Sequence, residues 1–353
     1  MTGRTASHRL HPSSRWLATV GAGSALLLVP TPASAAASSY VALGDSYSSG
    51  TGTRSYLADG TSCQRSVYAF PSLVASSRGY ALNFRACSGA TTADVASTQL
   101  GALTATTSYV SISVGGNDAD FADVLTECAL PAWASNCNGA VDSALRTVND
   151  VLPARLAQLY ASVRARSPRA KVVVAGYPRI FNGEDCNALT WFSPTEEARL
   201  NGVADVLNSR LSAAAGAAGF SFANPTSAFL GHAVCDAPEW LNGLSSPVGE
   251  SYHPNRAGHA SGYAPIVSSR LTGAAVRVDA RTASRAAASA SRLAAQQRGY
   301  AAQDRAIRPE TFVAPDLDSP RVREAAARAG VDLSSRASID AADRAHAAAQ
   351  ATG

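Results

Sequence analysis

The sequence predicts an α/β fold in which a parallel sheet lies between two layers of helices. Short apolar segments that suit strands alternate with amphipathic segments that suit helices throughout residues 40–270. This alternation is typical of parallel sheets that are covered on both faces. Polar residues also follow three of the strand segments, at Asp45-Ser46, Ser88-Gly89 and Gly115 to Asp118. Because ligands of such sheets bind beyond the carboxyl ends of the strands, these clusters predict a site.

The strands are predicted from short apolar or alternating runs. The first reads YVAL and leads directly into a glycine, and the fourth, KVVVAG, is a β-branched run of the kind that is buried in a sheet. The predicted strands are residues 40–43, 81–86, 109–114, 171–176 and 220–223.

The helices are predicted from capping residues and from apolar side chains with a period of about 3.6 residues. The clearest begins at Ser193, where Pro194 and Glu196 complete a capping box. Its buried stripe is Leu200, Val203, Leu207 and Leu211. The helix from about residue 149 has a stripe of Leu152, Leu156, Leu159, Tyr160 and Val163. Further helices are predicted at 71–78 and at about 255–270.

The N-terminus has the pattern of a secretory signal peptide. Residues 1–15 contain three arginines and no acidic residue, the run 16–29 is apolar, and Ala33-Ser34-Ala35 matches a cleavage site. A transmembrane span needs about 20 apolar residues, so this run is too short to be an anchor. We expect cleavage after Ala35 and a secreted, extracellular protein, and no later segment is apolar enough to span a bilayer.

The charge of the mature chain argues against a nucleic-acid partner. Residues 1–35 carry three arginines and no acids, so their removal lowers the net charge from +4 to +1. A protein that binds nucleic acid through its phosphates usually has a clear basic surplus.

Six cysteines lie after the predicted cleavage site, and an even number in an exported protein suggests disulfides. Fifteen pairings are possible, of which sequential pairing is the simplest. It joins Cys63 to Cys87, Cys128 to Cys137 and Cys186 to Cys235. Free buried thiols are the alternative. The absence of a C-x-x-C motif makes a zinc site a poor explanation.

Ser46 is the candidate nucleophile, and it requires a base that removes its proton as it attacks. We select His253 from the four histidines after residue 35, because Pro254 holds the chain extended there and lets the ring turn toward a strand end. A third group fixes the tautomer of such a base. Either the Glu250 carboxylate or the Ser251 carbonyl is close enough to His253 in sequence to be this third group. Asp45 is interpreted as a local structural partner.

The transition state of acyl transfer carries an oxyanion, which requires preorganised hydrogen-bond donors. The candidate donors are the backbone N–H groups of Ser46 and Gly89 and the side chain of Asn117. Glycine permits a close backbone approach to the oxyanion. Gly89 and Asn117 also suit ordinary turns when each is taken alone, so the prediction depends on the whole set.

Taken together, these motifs resemble the four sequence blocks of the SGNH (GDSL) hydrolases. The blocks are Gly44-Asp45-Ser46, Gly89 after Cys87-Ser88, Gly115-x-Asn117-Asp118, and His253 in His-Pro-Asn-x-x-Gly-His. The resemblance covers residues 40–270 and implies a flavodoxin-like α/β/α sandwich. It also implies Ser46 as nucleophile, His253 as base, and an oxyanion hole from Ser46, Gly89 and Asn117, with no metal or other cofactor.

The cysteine spacing and the segment 231–243 look like the secreted actinobacterial lipase and phospholipase branch of this family. The family usually has aspartate three residues before the catalytic histidine, where this chain has Glu250. In the lipase-like branch a backbone carbonyl two residues before the histidine can replace the acid. We therefore favour the Ser251 carbonyl over Glu250.

The expected function is a secreted, monomeric serine carboxylic-ester hydrolase that acts on lipid or acyl esters, as a lipase, esterase or phospholipase. One alternative is a carbohydrate esterase that removes acetyl groups from polysaccharide, since the same residues would serve it. Trp133, Trp191 and Trp240 could then line a sugar site. A second alternative is a non-catalytic wall-binding protein built on the same scaffold.

The composition changes near residue 273. Residues 274–353 contain no cysteine or tryptophan, only Tyr300 and Phe312 as aromatic residues, and 12 arginines against 9 acids. The alanine-rich stretches favour helix but offer few large side chains to bury. We therefore divide the chain into a signal peptide at 1–35, a hydrolase domain at 36–272, and a separate helical or disordered extension at 273–353.

Overall fold

A five-stranded parallel sheet, with strand order β2-β1-β3-β4-β5, is the centre of the protein. The structure is a computed structural model that describes residues 1–14, 37–309 and 311–351. Most of the predicted signal peptide, including its cleavage site, lies outside the described residues. Residues 1–14 contain no helix or strand. The described residues from 37 to 351 form one compact unit.

The strands occupy the positions that the apolar runs predict, with ends that differ by one or two residues. Their bounds are Ser39–Gly44 for β1, Ala81–Phe84 for β2, Tyr109–Ser113 for β3, Lys171–Ala175 for β4 and Ser221–Ala223 for β5. Val110 and Ile112 on the central strand are completely buried, which stabilises the fold by roughly 1.5–3 kcal/mol for each side chain.

The helices of the hydrolase part cover both faces of the sheet. Helices α2 and α8 pack together, while α5 and α6 pack on α7. The bounds are α1 Ser46–Ser49, α2 Phe70–Arg78, α3 Thr92–Asp94, α4 Phe121–Cys128, α5 Cys137–Arg146, α6 Leu152–Arg166, α7 Pro194–Ala217 and α8 Ala264–Thr272. Wider π-helical turns at 95–99, 147–151 and 258–263 join some of these elements.

The sequence predictions for the two longest of these helices are confirmed. Ser193 caps α7 with the reciprocal Glu196 capping box, and both predicted apolar stripes are buried. The last predicted helix is divided into a π-helical turn at 258–263 and α8. Helices α4 and α5 were not predicted, because neither has a stripe as long as those of α6 and α7.

All three sequential disulfides are present: Cys63–Cys87, Cys128–Cys137 and Cys186–Cys235. The first joins the loop after α1 to the loop after β2. The second joins the last residue of α4 to the first residue of α5. The first bridge lies near the carboxyl end of β1, because the Cys87 N–H donates to the Gly44 carbonyl at 2.9 Å.

The extension is helical and packs on the hydrolase part, which differs from the separate appendage that the composition predicts. Its helices are α9 Ala280–Ala288, α10 Ala290–Arg298, α11 Ala301–Asp304, α12 Pro320–Ala329 and α13 Arg336–Ala351. Helix α9 packs on α2, and α10 contacts β2. Buried ion pairs and a few apolar side chains hold the segment in place. The boundary near residue 273 stays a prediction.

Candidate active site

Ser46 lies at the topological switch point of the sheet. Strands β1 and β3 are neighbours in space, and Gly44 is paired with Ser113 at their carboxyl ends. Gly44 has a φ of +119°, and a Cβ atom there would lie 2.1 Å from the Ser113 carbonyl oxygen. Glycine is therefore required for the turn that leads the chain out of β1. Ser46 follows as the first residue of α1, in the crevice where such sheets bind ligands.

The Asp45 side chain stabilises this turn through hydrogen bonds. Its carboxylate accepts hydrogen bonds from the Tyr47 N–H at 3.0 Å, from the Ser113 hydroxyl at 2.6 Å and from the Tyr177 hydroxyl. Burial raises the pKa of Asp45 to about 6, although these donors oppose the shift. The prediction of a local structural partner is consistent with this geometry. No sequence pattern indicates this role for Tyr177.

His253 reaches the serine from the loop before α8. Its Nε2 atom lies 2.9 Å from the Ser46 hydroxyl oxygen, and its Nδ1 atom lies 2.9 Å from the Ser251 carbonyl oxygen. A carbonyl can only accept, so Nδ1 carries the proton and Nε2 presents its lone pair to the serine. Ser46, His253 and Ser251 therefore form a continuous chain of hydrogen bonds.

Tyr252 makes this arrangement possible, because its φ of +62° turns the chain between Ser251 and His253. Its backbone is held on both sides. The Tyr252 N–H donates to the Asn242 carbonyl at 2.9 Å, and the Tyr47 hydroxyl donates to the Tyr252 carbonyl at 2.8 Å. The Tyr47 ring centroid lies 5.3 Å from that of His253. Tyr47 thus supports the histidine, a role that the sequence analysis missed.

Glu250 points away from His253. Its carboxylate accepts a hydrogen bond from the Tyr56 hydroxyl at 2.5 Å and lies 3.9 Å from the Arg54 guanidinium, and its side chain is buried. Among the described residues, the Ser251 carbonyl is the group that hydrogen-bonds Nδ1 of His253. The geometry therefore favours Ser251 over Glu250 as the group that orients the histidine.

We expect the variant Glu250→Gln to keep kcat/KM within about threefold of wild type, because it removes a charge that does not contact His253. Glutamine keeps the acceptor for Tyr56 and the volume of the side chain, so the packing is retained. Steady-state kinetics on a soluble ester measure the effect. A loss of roughly 10³-fold or more, of the size seen when a triad member is removed, would instead assign the orienting role to Glu250.

The predicted oxyanion donors lie around the same strand ends. The Ser46 N–H is at the first position of a helix, where a backbone donor has no partner within the helix. Gly89 has a φ of +84°, and within the described chain no group accepts a hydrogen bond from its N–H. The Asn117 amide donates to the Ala90 carbonyl at 3.0 Å, which ties it to the Gly89 turn. Its second N–H hydrogen remains available for a ligand.

An apolar cleft opens beside Ser46 and His253, with an empty volume of about 670 Å³ that includes its mouth. Its walls come from helices α4 and α7, from the loop after β4, and from the extension. Asn117 also lines the cleft, next to the reacting residues. The apolar lining residues are Phe121, Ala122, Leu125, Pro178, Ile180, Val203, Ala204, Leu207 and Phe312. Such a surface suits the hydrocarbon chain of an acyl group.

Burial lowers the pKa of His253 to about 4, and the hydrogen bond to Ser251 opposes this shift. A general base acts in its neutral form, which a lowered pKa preserves in mildly acidic solution. We therefore expect kcat/KM to stay level from neutrality into mildly acidic solution, to reach half of its plateau near pH 4, and to keep falling at lower pH. A pH profile with a neutral ester tests this. An acid limb with its midpoint above 6.5 would contradict it.

The other candidate residues lie elsewhere. His259 is buried, and its Nδ1 accepts the Phe70 N–H at 3.3 Å, as expected for a structural histidine. His232 stacks on Trp240 at 3.7 Å between ring centroids. Within the described residues, the single group with metal-ligand spacing is Cys186, Cys235 and Glu239. Because its two sulfurs are joined in a disulfide, it offers no thiolate.

The chain is similar in sequence to a known protein family and to named proteins. Residues 42–261 match the GDSL-like lipase/acylhydrolase family. The chain is 44% identical over 236 residues to Lipase 1 of Streptomyces coelicolor, covering 66% of this chain and 87% of that protein. It is 42% identical over 259 residues to a lipase of Streptomyces rimosus, covering 70% and 96%.

A crystal structure of phospholipase A1 from Streptomyces albidoflavus superposes with a TM-score of 0.63 at 43% identity. The similarity covers 67% of this chain and 100% of that enzyme. About a third of the present chain therefore has no counterpart there.

Proposed function

Since the chain belongs to the GDSL-like lipase/acylhydrolase family and is a carboxylic-ester hydrolase, we propose that it cleaves acyl esters of lipids through an acyl-enzyme on Ser46. The observation that carries this proposal is the hydrogen-bond chain from Ser46 through His253 to the Ser251 carbonyl, at the mouth of an apolar cleft. An activated serine beside an apolar wall suits an ester whose acyl part is hydrophobic.

In the proposed first step, the Ser46 oxygen attacks the ester carbonyl carbon while His253 Nε2 takes the hydroxyl proton. The carbonyl oxygen becomes an oxyanion, which accepts hydrogen bonds from the Ser46 and Gly89 N–H groups and from Asn117. Each such donor contributes roughly 2.7–4 kcal/mol to lowering the barrier. Collapse of the intermediate breaks the ester C–O bond, and His253 gives its proton to the departing alkoxide.

In the second step, water attacks the acyl group on Ser46 and His253 takes a proton from that water. A second oxyanion forms in the same place. Its collapse releases the carboxylic acid and returns the proton from His253 to the Ser46 oxygen. The Ser251 carbonyl stabilises the imidazolium that exists during both steps, because it accepts a hydrogen bond from the Nδ1–H group throughout.

The acyl cleft favours lipid esters over acetylated polysaccharide. Trp133 and Trp191 pack against Val322 and Ile339 of the extension, and Trp240 packs on His232 and Phe229. None of these three tryptophans is among the described residues that line the cleft. Among the described residues, the cleft therefore has no tryptophan on which a sugar ring could stack. Two relatives named lipases and one named phospholipase A1 support the same substrate class.

We also propose that the protein is exported, with residues 1–35 removed as the signal peptide. Three disulfides support an oxidising compartment, where such bonds persist. Among the described residues, no helix combines the length and the apolar composition that crossing a membrane requires. One similar solved structure is an extracellular lipase of Streptomyces rimosus, 40% identical with a TM-score of 0.63.

The substrate class is tested by comparing initial rates on triacylglycerol emulsions, phospholipid vesicles, soluble esters and acetylated xylan, with Ser46→Ala as the blank. Acyl esters longer than acetate are expected to give the highest kcat/KM. Preferential release of acetate from xylan would assign the chain to the carbohydrate esterases. The absence of turnover on all four substrates would make the scaffold non-catalytic.

A further inference from the structure

One wall of the cleft comes from outside the family domain. The family match ends at residue 261, yet Phe312 lines the cleft together with Ser46 and His253. Its side chain is 3% exposed. We call residues 311–313 the strap, because this short segment without helix or strand crosses the cleft between two parts of the hydrolase fold.

The strap contacts both sides of the cleft. On the side of the catalytic histidine, the Phe312 ring packs edge to face on Tyr252, with 4.9 Å between ring centroids. Thr311 lies so close to Gly249 that a Cβ atom there would be 3.4 Å from the threonine methyl carbon. On the side of α4, the Val313 N–H donates to the Thr126 hydroxyl at 3.0 Å. Both sides contribute residues to the cleft lining.

The segment before the strap is fixed by buried charges. Asp304, at the end of α11, pairs with Arg65 and with Arg85 at 2.8 Å each. All three side chains are fully buried. Ile307 is 2% exposed and belongs to the main core. Because a buried ion pair is costly to separate, this end of the strap is held firmly on the hydrolase fold.

The segment after the strap is fixed by a second apolar cluster. Val322 of α12 packs with Leu130, Trp133 and Trp191 of the hydrolase part. Arg321 also makes a two-pronged ion pair with Glu127, with distances of 3.1 and 2.8 Å. The segments on both sides of the strap are therefore anchored to the hydrolase part.

We propose that the strap limits the acyl chain that the enzyme accepts and that Phe312 is the specificity-determining residue. This inference rests on the proposed ester hydrolysis at Ser46. The ring lines the cleft and packs on Tyr252, one residue from the catalytic His253, so it occupies volume that a longer acyl chain would need. The favoured substrates are therefore esters of short and medium acyl chains.

The test is the ratio of kcat/KM for a long-chain ester, C12, to that for a short one, C4. One methylene in a hydrophobic pocket changes selectivity by roughly 10–200-fold, so Phe312→Ala is expected to raise this ratio by at least about tenfold. Phe312→Trp fills the cleft further and is expected to lower it. Shifts of the C12 to C4 ratio in opposite directions for the smaller and the larger side chain indicate a steric limit. General destabilisation would not change direction with side-chain size.

Phe220→Leu is the matched control for Phe312→Leu. Phe220 is also a buried phenylalanine, but it packs on Tyr160 before the amino end of β5, away from the cleft. Circular dichroism checks that each variant is folded before the assay. If Phe312→Ala does not fold, the test uses Phe312→Leu and Phe312→Trp. A raised ratio in Phe312→Leu with an unchanged ratio in Phe220→Leu supports the proposal.

Unchanged ratios in all folded Phe312 variants, or an equal shift in Phe220→Leu, would overturn it. Failure of the proposed function has a different signature, since wild-type protein would then hydrolyse no ester or would do so equally well after Ser46→Ala. If wild-type turnover requires Ser46 but the C12 to C4 ratio of kcat/KM does not respond to Phe312 variants, the strap proposal is wrong and the proposed function stands.

Discussion

Replacement of Ser46 by alanine is expected to lower kcat/KM for ester hydrolysis by roughly 10⁴–10⁶-fold, because it removes the atom that forms the acyl-enzyme. His253 would still present a lone pair, and the oxyanion donors would remain. The residual rate would therefore reflect water attack on an ester held in the site. Steady-state kinetics on a soluble ester, with the variant purified from a host that lacks other esterases, measure the loss.

The control for this variant is Ser49→Ala, three residues away on the same short helix. The Ser49 hydroxyl donates to the Ser46 carbonyl at 3.2 Å and does not contact His253. We expect Ser49→Ala to keep most of the activity and Ser46→Ala to keep the wild-type melting temperature. Activity like wild type after Ser46→Ala, or equal loss in both variants, would remove Ser46 from the role of nucleophile.

Replacement of Asp304 by asparagine is expected to destabilise the protein by about 3–5 kcal/mol, the usual cost of leaving one partner of a buried pair uncompensated. Asp304 faces Arg65 and Arg85, which are 1% and 0% exposed. Asp59 also pairs with Arg65, at 2.8 Å, so the four side chains together carry no net charge. Without the Asp304 carboxylate, this buried cluster would carry one uncompensated positive charge.

Denaturant unfolding followed by circular dichroism measures this cost. The matched control is Asp205→Asn, which breaks the exposed pair of Asp205 with Arg179. Exposed pairs contribute roughly 0.2–1 kcal/mol, so this variant is expected to unfold near the wild-type midpoint. Equal midpoints for Asp304→Asn and wild type would show that the extension does not stabilise the hydrolase part through this cluster.

The sheet and its ligand edge were predictable because their signals are local. A β-branched run such as residues 171–176 indicates a strand by itself, and the Ser193 capping box marks the start of a helix. The polar residues after β1 and β3 then converge, since neighbouring parallel strands end at the same edge. Gly44 paired with Ser113 is the point at which this convergence occurs.

The orientation of His253 was not predictable to the same degree. Glu250 and Ser251 are both near the histidine in sequence, and which one reaches Nδ1 depends on the backbone at Tyr252. A positive φ is uncommon for a tyrosine, and no sequence pattern indicates it. The resemblance to lipases favoured the Ser251 carbonyl, and the geometry agrees with that choice.

The packing of the extension was the largest difference from expectation. Low apolar content predicted a separate segment, but a few residues are enough to attach it. Asp304 lies 239 residues from Arg65, and contacts over such a distance leave no periodic trace in the sequence. Phe312 reaches the cleft in the same way. Its position follows from the two anchors and has no local signal.

The central claim, that Ser46 is the nucleophile of a serine hydrolase, is tested most directly with a fluorophosphonate probe. Such probes phosphonylate an activated serine oxygen, and mass spectrometry of the digested protein locates the modified residue. We expect one label, on the peptide that contains Ser46, and its loss in His253→Ala because the base that activates the hydroxyl is removed. A label on another residue, or no label on folded wild-type protein, would contradict the claim.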